Sequence, residues 1–566
     1  MTHLDSIIRK HVLKNTFDYG KANTGSIVGK VIAEWPGCKT DMKSTMTKIN
    51  NEIKRVSKLG KDEIAQEMSS FEYYVKEEKE KIIELPDAEK GNVITRFPPE
   101  PSGYPHIGHA KAAWLNHEAA RVYDGKIILR FDDTNPEKES EEFVDAIRDD
   151  LKWLGITFDK ESYTSDNMDK IYVAAEKLIK DGNAYVSTAP RENISDSRST
   201  AKPLPERSNA PEENMKKWKD MLAGKYEKGE CLLLFKGDLK SDNTVMHDPA
   251  LARVIKSPHY RQKSKYIVWP GYDLAVVVMD HYEGITHAMR SKEYELRDEL
   301  YNTLFDLFEW KKPKMISFSR LAIKGAPISK RLITPLIKDK KVTGWDDPRL
   351  PTVAGLRRRG IMPDAIKQFV LSFGLSKVES EPDWESLLSY NRKLLDPKSP
   401  HYYFVSNPME LHIKNMEERE ISLKLHPKQN LGNRVLIATS CIYISADDAN
   451  RLEKGDIFRL KDLCNIKLTN KVGKLEAEIM SDGVVEKKIQ WVSDKDKRQC
   501  SIIVPKDLLN SDGEYQADSL QILNGYCEKN CAGLTIGTMV QFERFGFCRF
   551  DRFETKDNVL VFVFSC

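Results

Sequence analysis

From Asn92 the chain alternates between two hydrophobic periods, and this alternation limits the possible folds more than any other feature. NVITRF (92–97) is a short run rich in β-branched and aromatic residues, and GHAKAAWLNHEAARVYDG (108–125) has the small and apolar residues of a packed helix. KIILRFDD (126–133) returns to strand, KESEEFVDAIRDDLKWLG (138–155) is an amphipathic helix, and ITFDK (156–160) predicts another strand. Strand–helix–strand–helix order predicts an open, doubly wound parallel sheet. The alternation resumes at 284–323 in GITHAMR, SKEYELRDELYNTLFDLF and KMISFSRLAI. The intervening segment, about 185–270, reads differently. A polar, Pro-containing stretch, TAPRENISDSRSTAKPLPERSNAP, is followed there by the β-type runs CLLLFKG and YIVWPGYDLAVVVMD, so an insertion splits the sheet into halves.

At 566 residues the chain exceeds one core, and the pattern suggests six segments. Residues 1–90 are polar and helical: Met46, Ile49, Ile53, Val56 and Leu59 recur at three- and four-residue steps between charges. They read as an amphipathic bundle, with a docking surface for another protein as the alternative. The first half of the sheet spans 91–184, the insertion 185–270 and the second half 271–332. A helical section covers 333–400. The β-rich remainder, 401–566, includes VLIATSCIYI and DNVLVFVFSC, which have the period of antiparallel barrel strands. The whole is a multidomain α/β plus β chain.

No apolar run approaches the ~18–20 residues of a membrane span, and the start MTHLDSIIRKHVLKN lacks the apolar segment of a signal peptide. The nine cysteines are scattered, and only Cys527 and Cys531 are close, without a second pair at zinc spacing. These features predict a cytoplasmic protein with free thiols, no structural zinc, no bound metal and no membrane contact. The net charge of +3, from 89 basic and 86 acidic residues, leaves nucleic-acid binding undecided.

RFPPEPSGYPHIGHAKAAWLN (96–116) lies where the first strand hands over to a helix, the end at which parallel sheets bind ligands. Amides at a helix start favour phosphate, and Pro105 suits a first helical turn because it has no N–H to orphan. Gly108 leaves room for a flat ligand against the backbone. His106 and His109, one turn apart, share a face and can donate hydrogen bonds to phosphate.

PHIGH resembles the first signature of class I aminoacyl-tRNA synthetases. Together with LRFDDTNPEKE (129–139) it resembles the glutamyl/glutaminyl branch. PISKRL (327–332), after the strand-like ISFSRL, is similar to the mobile KMSKS-like loop of that class. Ile328 stands where relatives commonly have methionine or leucine. TGWDDPRLPTVAGLRRRGI (343–361) also resembles this branch, and the β-rich tail resembles the anticodon-binding barrels of its glutaminyl and archaeal or eukaryotic glutamyl members.

The resemblance implies a class I Rossmann-like sheet split by a domain that binds the tRNA acceptor end, followed by a helical stem-contact region. It implies glutamate joined to tRNA-Glu through a glutamyl-adenylate, with ATP and Mg2+, and leaves charging of tRNA-Gln open. His106, His109 and Lys330 would stabilise the reacting phosphates. Glu100, Ser102, Gly103, Gly108, Arg320, Leu321 and Ser329 match positions that hold ATP, and Arg96, Asp132, Tyr272 and Arg290 positions around the amino acid. Arginine at 290 favours glutamate, since glutaminyl relatives carry an uncharged residue there; the rival reading pairs Arg290 with Glu293 or Glu295. Arg357, Arg358 and Arg359 fit phosphate contact or plain solvation. The alternatives are a glutaminyl enzyme, a small nucleotidyltransferase with a similar histidine loop, a related glutamyl-transferring enzyme that modifies tRNA bases but ends after the catalytic region, and a degenerate synthetase retained as an RNA-binding scaffold.

Overall fold

The structure is a computed structural model that describes residues 3–19, 22–68, 71, 83–481, 483–555 and 558–566. The chain divides into two units, Met1–Glu80 and Lys81–Cys566. In the first, α1 (His3–Tyr19), α2 (Thr24–Glu34), α3 (Met42–Val56) and α4 (Lys61–Met68) bury Ile8, Val12, Leu13, Ile27, Val31, Ile49 and Val56. The Asn23 side chain caps α2 by accepting from the amides of Gly25 (2.8 Å) and Ser26 (3.4 Å). Inside this unit Arg9 joins Glu67 and Glu52. Met46, expected in the stripe, is 36% exposed, and Thr45 takes the inward position beside Cys38.

The second unit opens with β1 (Ile94–Phe97), α5 (Ile107–Val122), β2 (Lys126–Phe131), α6 (Glu141–Trp153) and β3 (Lys160–Tyr163). The three strands are parallel in the order β1-β2-β3, pairing Ile94 with Lys126 and Ile128 with Lys160. The third begins four residues later than ITFDK suggests. The Ile156 amide is still closing α6 on the Leu151 carbonyl (3.1 Å), so the chain cannot extend there. Instead the Asp159 carboxylate accepts the Ile127 amide at 2.8 Å, and Ile156 joins the core beneath β2.

After α7 (Met168–Lys180) the inserted sheet carries β4 (Ala184–Ser187), α8 (Arg191–Thr200), α9 (Pro211–Leu222), β5 (Leu232–Phe235), β6 (Ala250–Val254) and β7 (Val268–Pro270). Its strands are antiparallel in sequence order, against the parallel sheet on either side. The β-type reading of 266–280 holds only for β7. LAVVVMD lies within α10 (Tyr272–Tyr282), where Asp273 through Asp280 are all buried. A helix buried on every side loses its polar stripe, and its apolar run then looks like a buried strand.

Next come β8 (His287–Ser291), α11 (Asp298–Leu307) and β9 (Lys314–Phe318), with the two strands parallel. The Ile94 amide donates to Thr286 Oγ1 at 2.8 Å and the Thr286 amide to the Ile94 carbonyl at 3.0 Å. These bonds lay β8 beside β1, so the halves form one layer across the insertion. Helices α12 (Lys330–Lys338), α13 (Val353–Arg359), α14 (Pro363–Ser372) and α15 (Trp384–Leu395) follow.

Beyond them, two seven-stranded, barrel-like sheets and a two-stranded hairpin, Arg419–Lys424 with Asn433–Ala438, occupy 401–566. The two large sheets are predominantly antiparallel, but each includes two parallel pairings, such as Lys497–Pro505 with Val559–Phe564. Among the described residues no helix is long and apolar enough to cross a membrane.

Candidate active site

The histidine loop is held by its own imidazoles. His106 is the N-cap of α5, and its Nδ1 accepts the Gly108 amide at 3.1 Å. His109 Nδ1 in turn accepts the His106 amide at 3.2 Å, a reciprocal box usually built from Ser or Thr with Glu. Since both Nδ1 atoms accept, each ring carries its proton on Nε2. The rings lie 4.0 Å apart, centroid to centroid. Burial, then the neighbouring His109 and Arg320, holds His106 well below the ordinary imidazole value. Burial lowers His109 to about 4. Two neutral N–H donors therefore stand side by side.

Pro105 sits one position ahead of the cap, not in the first turn. Its carbonyl accepts the Val353 amide and the Ile107 amide donates to the Pro351 carbonyl, both at 2.9 Å. The 343–361 stretch thus clamps the loop from behind. Asp347 gathers the Thr343 amide at 2.9 Å and the Arg349 guanidinium at 2.8–2.9 Å, while Thr352 caps α13. A Cβ on Gly108 would lie 2.9 Å from the His106 ring and 3.3 Å from the Leu321 carbonyl. On that side the space that this glycine leaves is taken by the His106 ring and the Leu321 carbonyl, while Gly108 itself also lines the cavity.

One cavity of about 580 Å³ receives every site residue expected from the sequence: Arg96, Glu100, Ser102, Gly103, His106, Gly108, His109, Asp132, Tyr272, Arg290, Arg320, Leu321, Ser329 and Lys330. At one end Lys330, the first residue of α12, donates to the Ser102 carbonyl and lies 4.6 Å from the Phe143 ring centre. Its stem packs over Gly103, and Trp345 stacks on Tyr104 nearby at 5.3 Å. Arg320 pairs with Glu293 at the rim. This end offers donors and a cation to an anionic ligand.

The other end is a buried ionic network. Arg96 donates to both Asp280 oxygens (3.1 and 3.3 Å) and to the Met289 carbonyl (2.8 Å). Arg130 reaches Asp132 at 3.0 Å and both Asp280 and Glu283 at 2.9 Å, and Tyr301 gives its hydroxyl to Asp280 at 2.9 Å. Burial pushes the Asp280 carboxyl up, but the two guanidiniums outweigh it and the group lies below its ordinary value. Asp132 is raised: burial exceeds the pull of Arg130 and the Thr164 hydroxyl.

Arg290 differs from the other two arginines. Its Nη2 meets Asp298, not Glu293 or Glu295, which pair with Arg320 and Lys377. Its Nε and Nη1 are buried without a hydrogen-bond partner, and the side chain is only 5% exposed. Tyr272 adjoins it, with the Tyr272 and Tyr294 rings 5.0 Å apart. Nε and Nη1 lie on opposite edges of the guanidinium, so each is a buried cationic donor open to an anionic acceptor, and the pair does not form one parallel fork.

Comparison with known proteins shows the family of this chain. The family model described as tRNA synthetases class I (E and Q), catalytic domain, matches residues 92–397. Two models of anti-codon binding domains of the same group match 399–486 and 488–551. The chain belongs to the class I tRNA synthetases of the E and Q group. Its relatives in this family include a glutamate–tRNA ligase of Nitrosopumilus maritimus (strain SCM1), 43% identical over 96% of this chain and 97% of that protein. Glutamate–tRNA ligases of Cenarchaeum symbiosum (strain A) and Pyrococcus furiosus are 36% and 37% identical, covering 97% and 99% of this chain and 98% and 99% of their own lengths.

Several residues in and around this cavity give no sequence signal. Asp280, Arg130 and Glu283 come from opposite halves of the sheet, and Asp280 hides inside the apolar run of α10. The only hint is that charges are rare in such runs. Lys111, Glu139 and Arg253 also line the cavity. Burial raises Glu139 to about 8, despite the bond it accepts from the Asn135 amide.

The triple-arginine run is neither solvated nor free for phosphate at two of its positions. Arg358 forks onto Asp551 at 3.0–3.1 Å, and Arg359 is buried over Trp384 with its Nε on the Ser565 carbonyl. The nine cysteines are free thiols, and among the described residues no group of three or more metal-ligating side chains could hold a metal ion.

Proposed function

We propose that this chain ligates L-glutamate to tRNA-Glu, using ATP and a glutamyl-adenylate intermediate. The observation that carries the reading is Arg290: a buried guanidinium with two unpartnered nitrogens, in one cavity with His106, His109 and Lys330. Asp298 meets one nitrogen, and a neutral amide would offer the remaining buried cationic donors a weaker acceptor than a carboxylate does, so glutamate is favoured over glutamine. The archaeal relatives named as glutamate–tRNA ligases support the same choice.

In the first step the substrate α-carboxylate attacks the α-phosphorus of ATP and pyrophosphate leaves. In the second, a terminal hydroxyl of tRNA takes the acyl group and AMP departs. Neither step needs a protein nucleophile, so orientation and charge stabilisation carry the catalysis. His106 and His109 donate Nε2–H to the α-phosphate oxygens. Burial keeps both rings neutral, so each gives its one N–H to phosphate while Nδ1 stays the acceptor that holds the loop. Lys330 exchanges the Ser102 carbonyl for phosphate oxygens and neutralises the departing pyrophosphate. Arg320 and the Leu321 backbone hold the adenine end. The loop from Glu100 to Gly103, with Gly108 and, in the second motif, Ser329, shapes the phosphate channel. Arg96 and Asp132 orient the amino acid's charged groups, and Tyr272 and Arg290 contact its side chain. Magnesium would accompany ATP, held as much by phosphate oxygens and water as by the protein.

The inserted sheet serves the tRNA acceptor end and the two C-terminal sheets the anticodon. The same reading places the protein in the cytoplasm, and assigns the N-terminal helical unit, with Trp35 and Phe17 exposed, to contact with a partner protein. The deciding assay is ATP–pyrophosphate exchange with glutamate, run with and without tRNA-Glu and followed by charging of tRNA-Glu and tRNA-Gln. Glutamate-dependent exchange with tRNA present is expected; exchange with glutamine instead would favour the glutaminyl alternative.

A further inference from the structure

Lys111 is a lysine where a lysine is expensive to keep. It lies two residues past His109 on α5, only 1% exposed, and it lines the reaction cavity. Its Nζ donates to the Ser319 carbonyl at 2.7 Å and to Ser319 Oγ at 3.1 Å. The Phe318 and Phe373 rings flank it, each with its centre 5.7 Å from Nζ. No carboxylate pairs with it among the described residues. Taking an ammonium out of water without a counter-charge costs several kcal/mol, and two neutral acceptors with two aromatic faces offset only part of that.

What these bonds hold is the segment leaving β9. Ser319 and Leu321 are gripped from one side by Lys111 and from the other by residues 376–380, through the Ser319 amide on the Ser376 carbonyl (2.8 Å) and a bridge between Leu321 and Ser380. The Leu321 carbonyl in turn rests against Gly108 in the histidine loop. The bond from Lys111 to Ser319 spans 208 residues and ties the helix that starts at the histidines to the far half of the split sheet.

We propose that Lys111 is a positioning residue for ATP: it sets the Ser319–Leu321 segment against the histidine loop, so that the nucleotide and the reacting phosphate are held in one register. The inference rests on the reading of the cavity as an ATP and glutamate site. It adds a residue that acts on nucleotide binding and leaves the amino-acid end untouched.

The test uses the full chain with Lys111→Met, which keeps the stem and removes the charge, and Ser319→Ala, which removes one of two acceptors. ATP binding is measured directly by calorimetry, alongside the KM values for ATP and glutamate in tRNA charging. Lys111→Met is expected to weaken ATP binding and raise its KM at least about tenfold, with the glutamate KM within about twofold. Ser319→Ala should move ATP in the same direction by a smaller factor, and the double variant should be no worse than Lys111→Met alone, because both act through one contact. Unchanged ATP binding in folded Lys111→Met overturns the inference, as does a parallel rise in both KM values. Should Lys111→Met fail to fold, an unaltered ATP KM in Ser319→Ala overturns it instead. A wild-type chain that binds ATP but does not charge tRNA with glutamate would refute the functional reading and leave the ATP-binding comparison intact.

Discussion

Replacing Arg290 with glutamine isolates the group on which the substrate assignment turns. The wild-type guanidinium has one nitrogen on Asp298 and two buried nitrogens with no partner. If a substrate carboxylate takes one of those two, the variant loses a charge-assisted hydrogen bond worth ~1.5–3 kcal/mol net. The Asp298 side chain is 32% exposed and can rehydrate, so little of the loss comes from a stranded charge on the protein. The loss is about 1.5–3 kcal/mol, or about 10–10²-fold in kcat/KM for glutamate. The ATP KM should stay within about twofold, because the phosphate end of the cavity is built from other elements. Charging assays with varied glutamate, varied ATP and competing glutamine measure all three quantities. Discrimination against glutamine should narrow, since the variant's amide no longer demands a negative partner. A fall of less than about tenfold for glutamate would mean that these nitrogens do not meet the substrate, and the assignment would lose its main support.

Asp280 carries the opposite charge for both Arg96 and Arg130, so Asp280→Asn should lower the thermal midpoint and raise the glutamate KM together. Breaking such a buried cluster costs about 3–5 kcal/mol, and an unchanged melting curve would contradict the network described. The histidines make a prediction about pH. Burial lowers His109 to about 4, so its ring is neutral at pH 7 and gains a proton only on strong acidification. The first-step rate should therefore show no acid limb near the ordinary imidazole value of ~6.5 that His109→Asn abolishes. For stability the sign is fixed by the same shift. The contribution is fully present above ~6.5 and is lost as pH falls toward about 4, because the unfolded chain takes up the proton first. Urea midpoints across that window should fall less steeply in His109→Asn than in the wild type.

The parts of this protein that were legible in its sequence are local ones. β1 and β2 are short β-branched runs bounded by turns, and the histidine loop places its residues within one helical turn, so periodicity reveals them. α10 was hidden because it is buried on every side, which erases the polar stripe that distinguishes a helix from a strand. The Arg96–Asp280 pair was hidden for another reason: its members lie 184 residues apart, and the insertion separates them along the chain but not in space. Arg358 and Arg359 show the same limit. A run of three arginines looks like a surface feature until the C-terminal strands supply Asp551 and the Ser565 carbonyl. The loop clamp at 351–353 was visible only as a motif, since its role is to bond main chain to main chain.

Whether one cavity activates glutamate with ATP for transfer to tRNA is best decided by a single charging experiment. The full-length chain is supplied with ATP, Mg2+, tRNA-Glu and either labelled glutamate or labelled glutamine, and acid-precipitable label is followed together with pyrophosphate release. Label should reach tRNA from glutamate and not from glutamine, and charging should fall by about 10²–10³-fold in His106→Ala and Lys330→Ala. Label from glutamine in preference to glutamate, or no charging from either while both substrates bind, would contradict the assignment.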